Sequence, residues 1–266
     1  LFAGHVLPGR WPFRWGGGYQ RQAWKTMRRV WVQTEASLPT LSAYGVNAEV
    51  AGDPRFDRVL NAVAQHQPDQ ALQTWVNDRP CVVVGSAWQP EWEAARKAWQ
   101  VGQCALVVPH EWTAEGIAKE ASRWEAMGAR PVVWSAHRSA DARAALPEGD
   151  VLIVDAMGEL LEAYAVADVV VVGGGFGDGV HNTLEPAAHG KRILVGPQVG
   201  RFAEVAALET AGALSVCDSP ITLSDAIQSA LTNVDASRRA GLKAATYAHQ
   251  NAGAGIAIAE GWSKAL

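Results

Sequence analysis

The sequence lacks several features that define large classes of protein. It holds three cysteines in 266 residues, spaced far apart, which excludes a disulfide framework and a zinc site built on paired cysteines. We expect Cys81, Cys104 and Cys217 to be buried reduced thiols, which suits a reducing compartment. No apolar run reaches the roughly 18 residues that a membrane-spanning helix needs. The net charge of −4 at pH 7 argues against general nucleic-acid binding.

Common catalytic and phosphate-binding motifs are also missing. G-x-G-x-x-G fails in every register, because Asp178, Val180 and Asn182 stand where the third glycine is required. Gly190-Lys191 has no glycine five residues before it, so it is not a Walker A loop. H-E-x-x-H and G-x-S-x-G are absent as well. The sequence therefore predicts no metal site and no cofactor, and it shows no catalytic set.

From residue 81 onward, short apolar segments alternate with helical ones. The predicted strands are 81–85, 105–108, 131–134, 151–154, 169–173, 192–195 and 214–217. The predicted helices are 91–100, 113–127, 158–166, 183–189, 201–210, 221–231, 236–249 and 254–266. This alternation predicts an α/β fold with a parallel sheet covered on both faces. The 48% of hydrophobic residues are enough to build its core.

The most informative stretch is DVVVVGGGFGDGVHNTLEPAAHG (168–190), a buried strand followed by a glycine turn (173–179) and a helix. Glycine permits a positive φ and close approach of a ligand to the backbone. The start of the helix predicts an anion site. Glu185 lies one turn in, where a carboxylate can meet sugar hydroxyls. The alternative is a turn whose glycines only make room for packing.

Ligands bind at the carboxyl ends of the strands in sheets of this kind. The predicted strand ends are followed by Ser86; by Pro109 and His110; by Ser135 and His137; by Asp155, Met157 and Gly158; by the glycine turn; and by Gly196 and Pro197. We therefore expect these residues to share one rim of the sheet and to bind phosphate and sugar.

A structural role is an open alternative for several of these residues. Ser86 and Asp155 would then cap the segments that follow them, and Met157 would pack in the core. His110 would be an ordinary loop histidine. His189, at the end of the predicted helix 183–189, would favour the helix dipole.

The first thirty residues are basic and rich in aromatic side chains, with no acidic residue before Glu35. One interpretation is a surface for anionic lipid head groups, with tryptophans at the membrane interface. The other is a loop and helix whose aromatic side chains pack on a further domain. A break at Gly52-Asp53-Pro54 predicts a domain boundary, which divides the chain into residues 1–53 and 54–266.

Five segments, in order, resemble the Kdo transferases of Gram-negative bacteria, which transfer 3-deoxy-D-manno-oct-2-ulosonic acid (Kdo) from CMP-Kdo to a lipid A precursor. They are GDPRFDRV (52–59), VVGSAW (83–88), VVPHE (107–111), VLIVDAMGELLEAYAVADVVVVGGGF (151–176) and HNTLEPAAHG (181–190). The combination of MGEL, the glycine turn and HN-x-LEPAAHG is the most specific part of the likeness.

The resemblance implies a GT-B architecture of two Rossmann-like domains. Residues 54–266 would be the donor domain, with a last helix that would cross back, and residues 1–53 would be the end of the acceptor domain. The family's catalytic acid and hydrophobic anchor would precede Leu1, so no catalytic residue is named in this chain, and the chain alone is expected to be inactive. The implied partners are CMP-Kdo, a lipid A precursor and the membrane surface, at the cytoplasmic face of the bacterial inner membrane.

The resemblance also implies roles for single residues. Glu185 would hold the ribose, Asn182 and the glycine-turn amides the phosphate, and Met157 with Gly158 the cytosine. The implied donor-binding set is Ser86, Pro109, His110, Met157, Gly158, Gly174, Gly175, His181, Asn182 and Glu185.

One position departs from the family. Many members have arginine and histidine after the proline of the second strand, where this chain has Pro109-His110-Glu111. Either His110 would replace the positive charge, and only when protonated, or a residue of the missing half would supply it. Two other functions stay open. One is a GT-B transferase or epimerase that uses a UDP-sugar, and the other is a nucleotide-binding fragment without turnover.

Overall fold

The chain forms two compact units. A computed structural model describes residues 4, 6, 18–67, 69–137, 146–200 and 202–263. The smaller unit comprises residues 1–62 and 248–266, and the larger unit comprises residues 63–247. The predicted boundary after residue 53 lies nine residues before the first division, and the assignment of donor and acceptor domains stays a prediction.

The elements are numbered in chain order. The strands are β1 (Trp31–Val32), β2 (Glu49–Val50), β3 (Cys81–Ala87), β4 (Cys104–Pro109), β5 (Pro131–Val133), β6 (Val151–Ile153), β7 (Val169–Val172), β8 (Arg192–Val195) and β9 (Leu214–Val216). The helices are α1 (Gly18–Thr26), α2 (Leu38–Ala43), α3 (Pro54–Gln65), α4 (Gln70–Val76), α5 (Gln89–Ala98), α6 (Ala114–Glu125), α7 (Leu160–Ala165), α8 (Leu184–Ala188), α9 (Ala203–Thr210), α10 (Pro220–Thr232), α11 (Val234–Gln250) and α12 (Ala254–Ser263).

The larger unit is built on a seven-stranded parallel sheet in the order β5-β6-β4-β3-β7-β8-β9. Its central strands are runs of β-branched residues buried on both faces; every residue of β7 is buried, as a parallel sheet between two helical layers requires. All seven predicted strands are confirmed. The prediction missed α4. Asp69 is the N-cap residue of this helix, and its carboxylate accepts the N–H groups of Ala71 and Leu72 at 2.7 and 3.2 Å.

The order of strands reverses at the centre of this sheet. The chain passes from β3 to β4 on one side and later returns to place β7 on the other side of β3, with Gly85 paired to Val172. A crevice opens at such a switch point, between the loops that follow the two strands. The fold therefore brings the loop after β3 and the glycine turn after β7 to the place where ligands bind in doubly wound sheets.

The smaller unit has a short parallel pair, β1 and β2, to which Gly4 adds a bridge at Val32. Its core is formed by Val6, Val30, Val32, Leu41 and Val46. The carboxylate of Asp57 on α3 accepts the N–H groups of Gly253 and Gly255 at 2.8 and 3.1 Å. These bonds attach the start of α12 to the first part of the chain.

Two sequence predictions concern membranes. Half of the basic aromatic segment 1–30 lies outside the described residues, so its lipid-surface interpretation stays a prediction. Among the helices of the described ranges, none combines the length and the apolar character that crossing a bilayer requires.

Candidate functional site

The end of β3 and the loops after β7 and β8 pack backbone against backbone. A Cβ placed on Gly173 would lie 2.1 Å from the carbonyl oxygen of Ser86, and one on Gly175 would lie 2.5 Å from the nitrogen of Gly196. Ser86 itself has a positive φ of 51°, an uncommon conformation for a residue with a side chain. Packing alone thus requires glycine at positions 173 and 175. At these two positions the structure agrees with the alternative interpretation, in which the glycines of the turn make room for packing.

A buried carboxylate lies beneath the glycine turn. Glu91 on α5 is fully buried and accepts the N–H groups of Gly174 at 3.0 Å and Trp88 at 3.2 Å. Burial raises the pKa of Glu91, while hydrogen bonds from backbone N–H groups, among them that of Phe176, oppose the rise. The sequence predicts only that Glu91 begins a helix. A local sequence feature could have indicated its hydrogen bond to Trp88, because a glutamate three residues after the cap residue Trp88 can complete a capping box.

Some amides of the glycine turn, which is predicted to face a phosphate, are already engaged inside the protein. The Gly174 N–H is bound to Glu91, and the N–H groups of Gly177 and Gly179 both donate to the Gly174 carbonyl oxygen, at 3.0 and 3.1 Å. These three donors are satisfied inside the protein. That a phosphate meets other amides of the turn stays a prediction.

Three aromatic rings stack across the switch point. The ring of His110, after β4, lies 4.4 Å from that of His181 at an interplanar angle of 28°. The ring of Trp88, after β3, lies 4.7 Å from His110. The His181 ring also contacts the turn, because a Cβ on Gly174 would lie 2.9 Å from its Cδ2. Burial, and then the neighbouring His110, lower the pKa of His181.

Asn182 and Glu185 form a polar pair beside the stack. The Asn182 Nδ2 atom donates to Glu185 Oε1 at 3.0 Å, and its Oδ1 accepts the Leu184 N–H at 3.0 Å. Asn182 is exposed and Glu185 is half-buried. Since α8 has only five residues, the amides at its start offer less to an anion than the predicted longer helix. Burial, and then the charge of Glu185, raise the pKa of Tyr164.

The remaining predicted residues follow β4 and β6. Pro109 is buried at the end of β4. Met157 is 83% exposed, which excludes the core-packing alternative, and Gly158 has a φ of 86° with open space where a Cβ would stand. Asp155 does not cap α7; it accepts the N–H and hydroxyl of Ser135 at 2.8 and 2.6 Å and so joins the ends of β5 and β6.

The structure therefore brings Ser86, His110, Gly174, Gly175 and His181 together, and it pairs Asn182 with Glu185. Met157 and Gly158 lie on the neighbouring loop after β6. The described residues contain no group of three or more histidine, cysteine, aspartate or glutamate side chains that could hold a metal ion.

His189 behaves differently from the prediction of a charged helix end. It follows α8 as its C-cap, but its ring lies 5.9 Å from that of His66, and its Nε2 atom has no hydrogen-bond partner among the described residues. Burial, then Lys191 and His66, lower the pKa of His189 from 6.5 to about 4. The ring is therefore neutral at pH 7 and adds no charge to the helix end.

We expect this histidine to make the fold sensitive to acid. Below pH 6.5 the unfolded chain binds a proton at residue 189 that the folded chain refuses until pH falls to about 4, so stability is lost between these values. The loss is roughly 1 to 2 kcal/mol, less than the full linkage value because the ring is partly solvated. Urea unfolding at pH 7 and pH 4.5 should show a smaller pH effect in His189→Gln than in the unchanged protein. His137→Gln, which alters an exposed ring, is the control. The prediction would be contradicted if the free energy of unfolding changed by the same amount between the two pH values in all three proteins.

The chain is similar in sequence to a known transferase. The 3-deoxy-D-manno-octulosonic acid transferase of Bordetella pertussis is 30% identical over 232 residues, which cover 80% of this chain and 51% of that protein. The chain thus spans about half the length of this relative. A comparison with protein-family models finds no match.

Solved structures show the same fold. The C-terminal CMP-Kdo binding domain of WaaA from Acinetobacter baumannii superposes with a TM-score of 0.55 at 22% identity, covering 71% of this chain and 96% of that chain. Anabaena Alr3699/HepE, solved in complex with UDP, gives a TM-score of 0.53 at 14% identity and covers 91% of this chain and 65% of that one. By sequence the chain is a relative of the 3-deoxy-D-manno-octulosonic acid transferases, and by fold it is an α/β protein of the GT-B glycosyltransferase type.

Proposed function

We propose that the chain binds CMP-Kdo as the donor half of a Kdo transferase, an enzyme of lipopolysaccharide biosynthesis. The observation that carries the proposal is the pair of Asn182 and Glu185, joined at 3.0 Å directly after the glycine turn at the switch point of the sheet. A carboxylate held there by an amide can accept hydrogen bonds from both hydroxyls of a ribose. The relation to the Bordetella pertussis transferase supports the choice of donor.

The remaining predicted residues would surround the rest of the donor. Met157 and Gly158 would face the cytosine, since an exposed thioether side chain beside an unobstructed glycine offers a flat apolar surface. Ser86 would lie on the sugar side, and His110 and His181 on the phosphate side. No residue of this set is assigned to proton transfer, and the proposal involves no metal.

The chemistry requires stabilisation of the leaving group. When the bond between Kdo and CMP breaks, negative charge develops on the CMP phosphate, and groups prearranged around it lower the barrier. The rigid packing of the end of β3 and the loops after β7 and β8 would supply this prearrangement, because their backbones contact each other directly. The acceptor would be a lipid A precursor, and the reaction would take place at the cytoplasmic face of the bacterial inner membrane.

The domain assignment is part of the same proposal. Residues 54–266 would bind the donor, and residues 1–53 would belong to the acceptor side of a two-domain enzyme. The basic and aromatic segment 1–30 would then lie toward anionic lipid head groups.

A calorimetric titration of the purified chain with CMP and with UDP tests the choice of nucleotide. We expect CMP to bind at least about tenfold more tightly than UDP, a difference of about 1.4 kcal/mol, because the two bases present different hydrogen-bonding edges. AMP serves as the control for non-specific nucleotide binding. Tighter binding of UDP would favour a UDP-sugar enzyme on the same fold, and failure of all three to bind would contradict the proposal.

A further inference from the structure

The loops around the switch point contain few groups that can carry a positive charge. The described stretches at the carboxyl ends of the four central strands are 85–91, 109–113, 173–183 and 196–200, and they contain no lysine and no arginine. Their basic side chains are the stacked histidines, His110 and His181. Arg201 comes next in the chain and lies outside the described residues.

Acidic groups, in contrast, are present on every element around the histidine pair. Glu91 lies on α5 beneath Gly174, Glu111 follows His110, Asp178 lies in the glycine turn, and Glu185 lies on α8. With both imidazoles neutral, this rim would repel a phosphate dianion. The amides of Gly174, Gly177 and Gly179 offer no compensation, because they donate inside the protein.

The stacking geometry limits the pair to one proton. Two imidazolium rings with centroids 4.4 Å apart would repel each other strongly, so the second proton binds with difficulty. Burial lowers the pKa of His181, whereas the ring of His110 is exposed. The ring of Trp88 lies 4.7 Å from that of His110, and an aromatic face favours a cation.

We propose, on the basis of the function proposed above, that His110 and His181 form a one-proton phosphate site and that donor binding takes up a proton. The phosphate adds negative charge next to His110, so the bound pair holds its proton at a higher pH than the free pair. Binding is therefore tighter at mildly acidic pH. His110 provides the charge, and His181 positions its ring.

The experiment is a calorimetric titration of the purified chain with CMP at pH 8.0 and pH 6.5, in two buffers of different ionisation enthalpy. We expect the affinity to be about fivefold higher at pH 6.5 than at pH 8.0, the linkage result for an average uptake of roughly half a proton over this range. The dependence of the measured heat on the buffer counts the protons directly. The phosphate of CMP itself titrates near pH 6. Its protonation lowers the negative charge of the ligand and so reduces the gain in affinity at pH 6.5.

His110→Phe is the decisive variant, because phenylalanine can preserve the stack while it cannot be protonated. It should lose the proton uptake and the gain in affinity at pH 6.5. His249→Phe, which alters an exposed histidine on α11, should behave as the unchanged protein. Melting curves will confirm that both variants fold.

The outcomes separate this inference from the proposed function. CMP binding of equal strength and equal pH dependence in the unchanged protein and in His110→Phe would overturn the one-proton site and leave the donor assignment intact. Loss of binding in Arg201→Ala, with His110→Phe unaffected, would overturn it as well and assign the phosphate to Arg201. Absence of CMP binding at both pH values would overturn the proposed function together with this inference.

Discussion

Replacement of Glu185 by alanine is expected to weaken CMP binding by on the order of 100-fold, because a ribose loses hydrogen bonds to a charged acceptor. The carboxylate is half-buried and hydrogen-bonded to Asn182 at 3.0 Å, so it is already oriented before a ligand arrives. Preorganisation of this kind lets a small number of bonds contribute most of their energy to binding. Calorimetric titration of the variant with CMP is the measurement.

The controls address folding and the location of the charge. Glu209→Ala removes an exposed carboxylate from α9 and should leave CMP affinity unchanged. Melting temperatures should show that Glu185→Ala still folds. If a folded Glu185→Ala protein bound CMP as tightly as the unchanged chain, Glu185 would not contact the ribose, and the observation that carries the proposed function would be lost.

The second large effect concerns the fold and not the ligand. We expect Gly173→Ala to destabilise the protein by about 3 kcal/mol, the upper part of the usual range for overpacking, because the clash involves backbone. The new Cβ would lie 2.1 Å from the Ser86 carbonyl oxygen and 2.7 Å from its carbonyl carbon. Neither atom can rotate away as a side chain would, so β3 and β7 would have to separate. Urea unfolding of the purified variant measures the loss.

The glycine turn itself provides the matched control. Gly177 has no positive φ, and the nearest atom to a Cβ placed there is the Gly174 carbonyl oxygen at 3.9 Å, so Gly177→Ala should change stability by less than about 1 kcal/mol. If Gly177→Ala folds normally but binds CMP weakly, close approach of the ligand to the turn is supported as well. Similar stability of Gly173→Ala and the unchanged protein would refute the packing argument.

Periodicity and composition were sufficient to predict the sheet. Valine-rich runs such as 81–85 and 169–173 fit only strands buried on both faces, and each became a strand of the larger unit. The carboxyl-end rule then placed Ser86, His110 and the glycine turn on one rim, and the contacts of His110 and His181 agree with it. Helix α4 escaped prediction because its seven residues are too few to show a clear apolar period.

The partners of the turn could not be predicted in the same way. The bond between Gly174 and Glu91 joins residues 83 positions apart, and nothing in the local sequence of the turn indicates that a carboxylate will take its N–H groups. The stack of Trp88, His110 and His181 likewise depends on three loops that meet only once the strand order is known. Burial of His189 beside His66 has the same cause, since it is set by the packing of separate segments.

The bonds from Asp57 to Gly253 and Gly255 have a consequence for how the polypeptide can be divided. Both ends of the chain belong to the smaller unit, so the larger unit is an insertion that begins at residue 63 and ends at residue 247. A protein truncated before α12 would leave the carboxylate of Asp57 without these two donors, while all seven strands of the large sheet would still be present. The chain passes between the two units after residue 62 and again after residue 247. Expression boundaries chosen only at the first of these positions would therefore overlook the second.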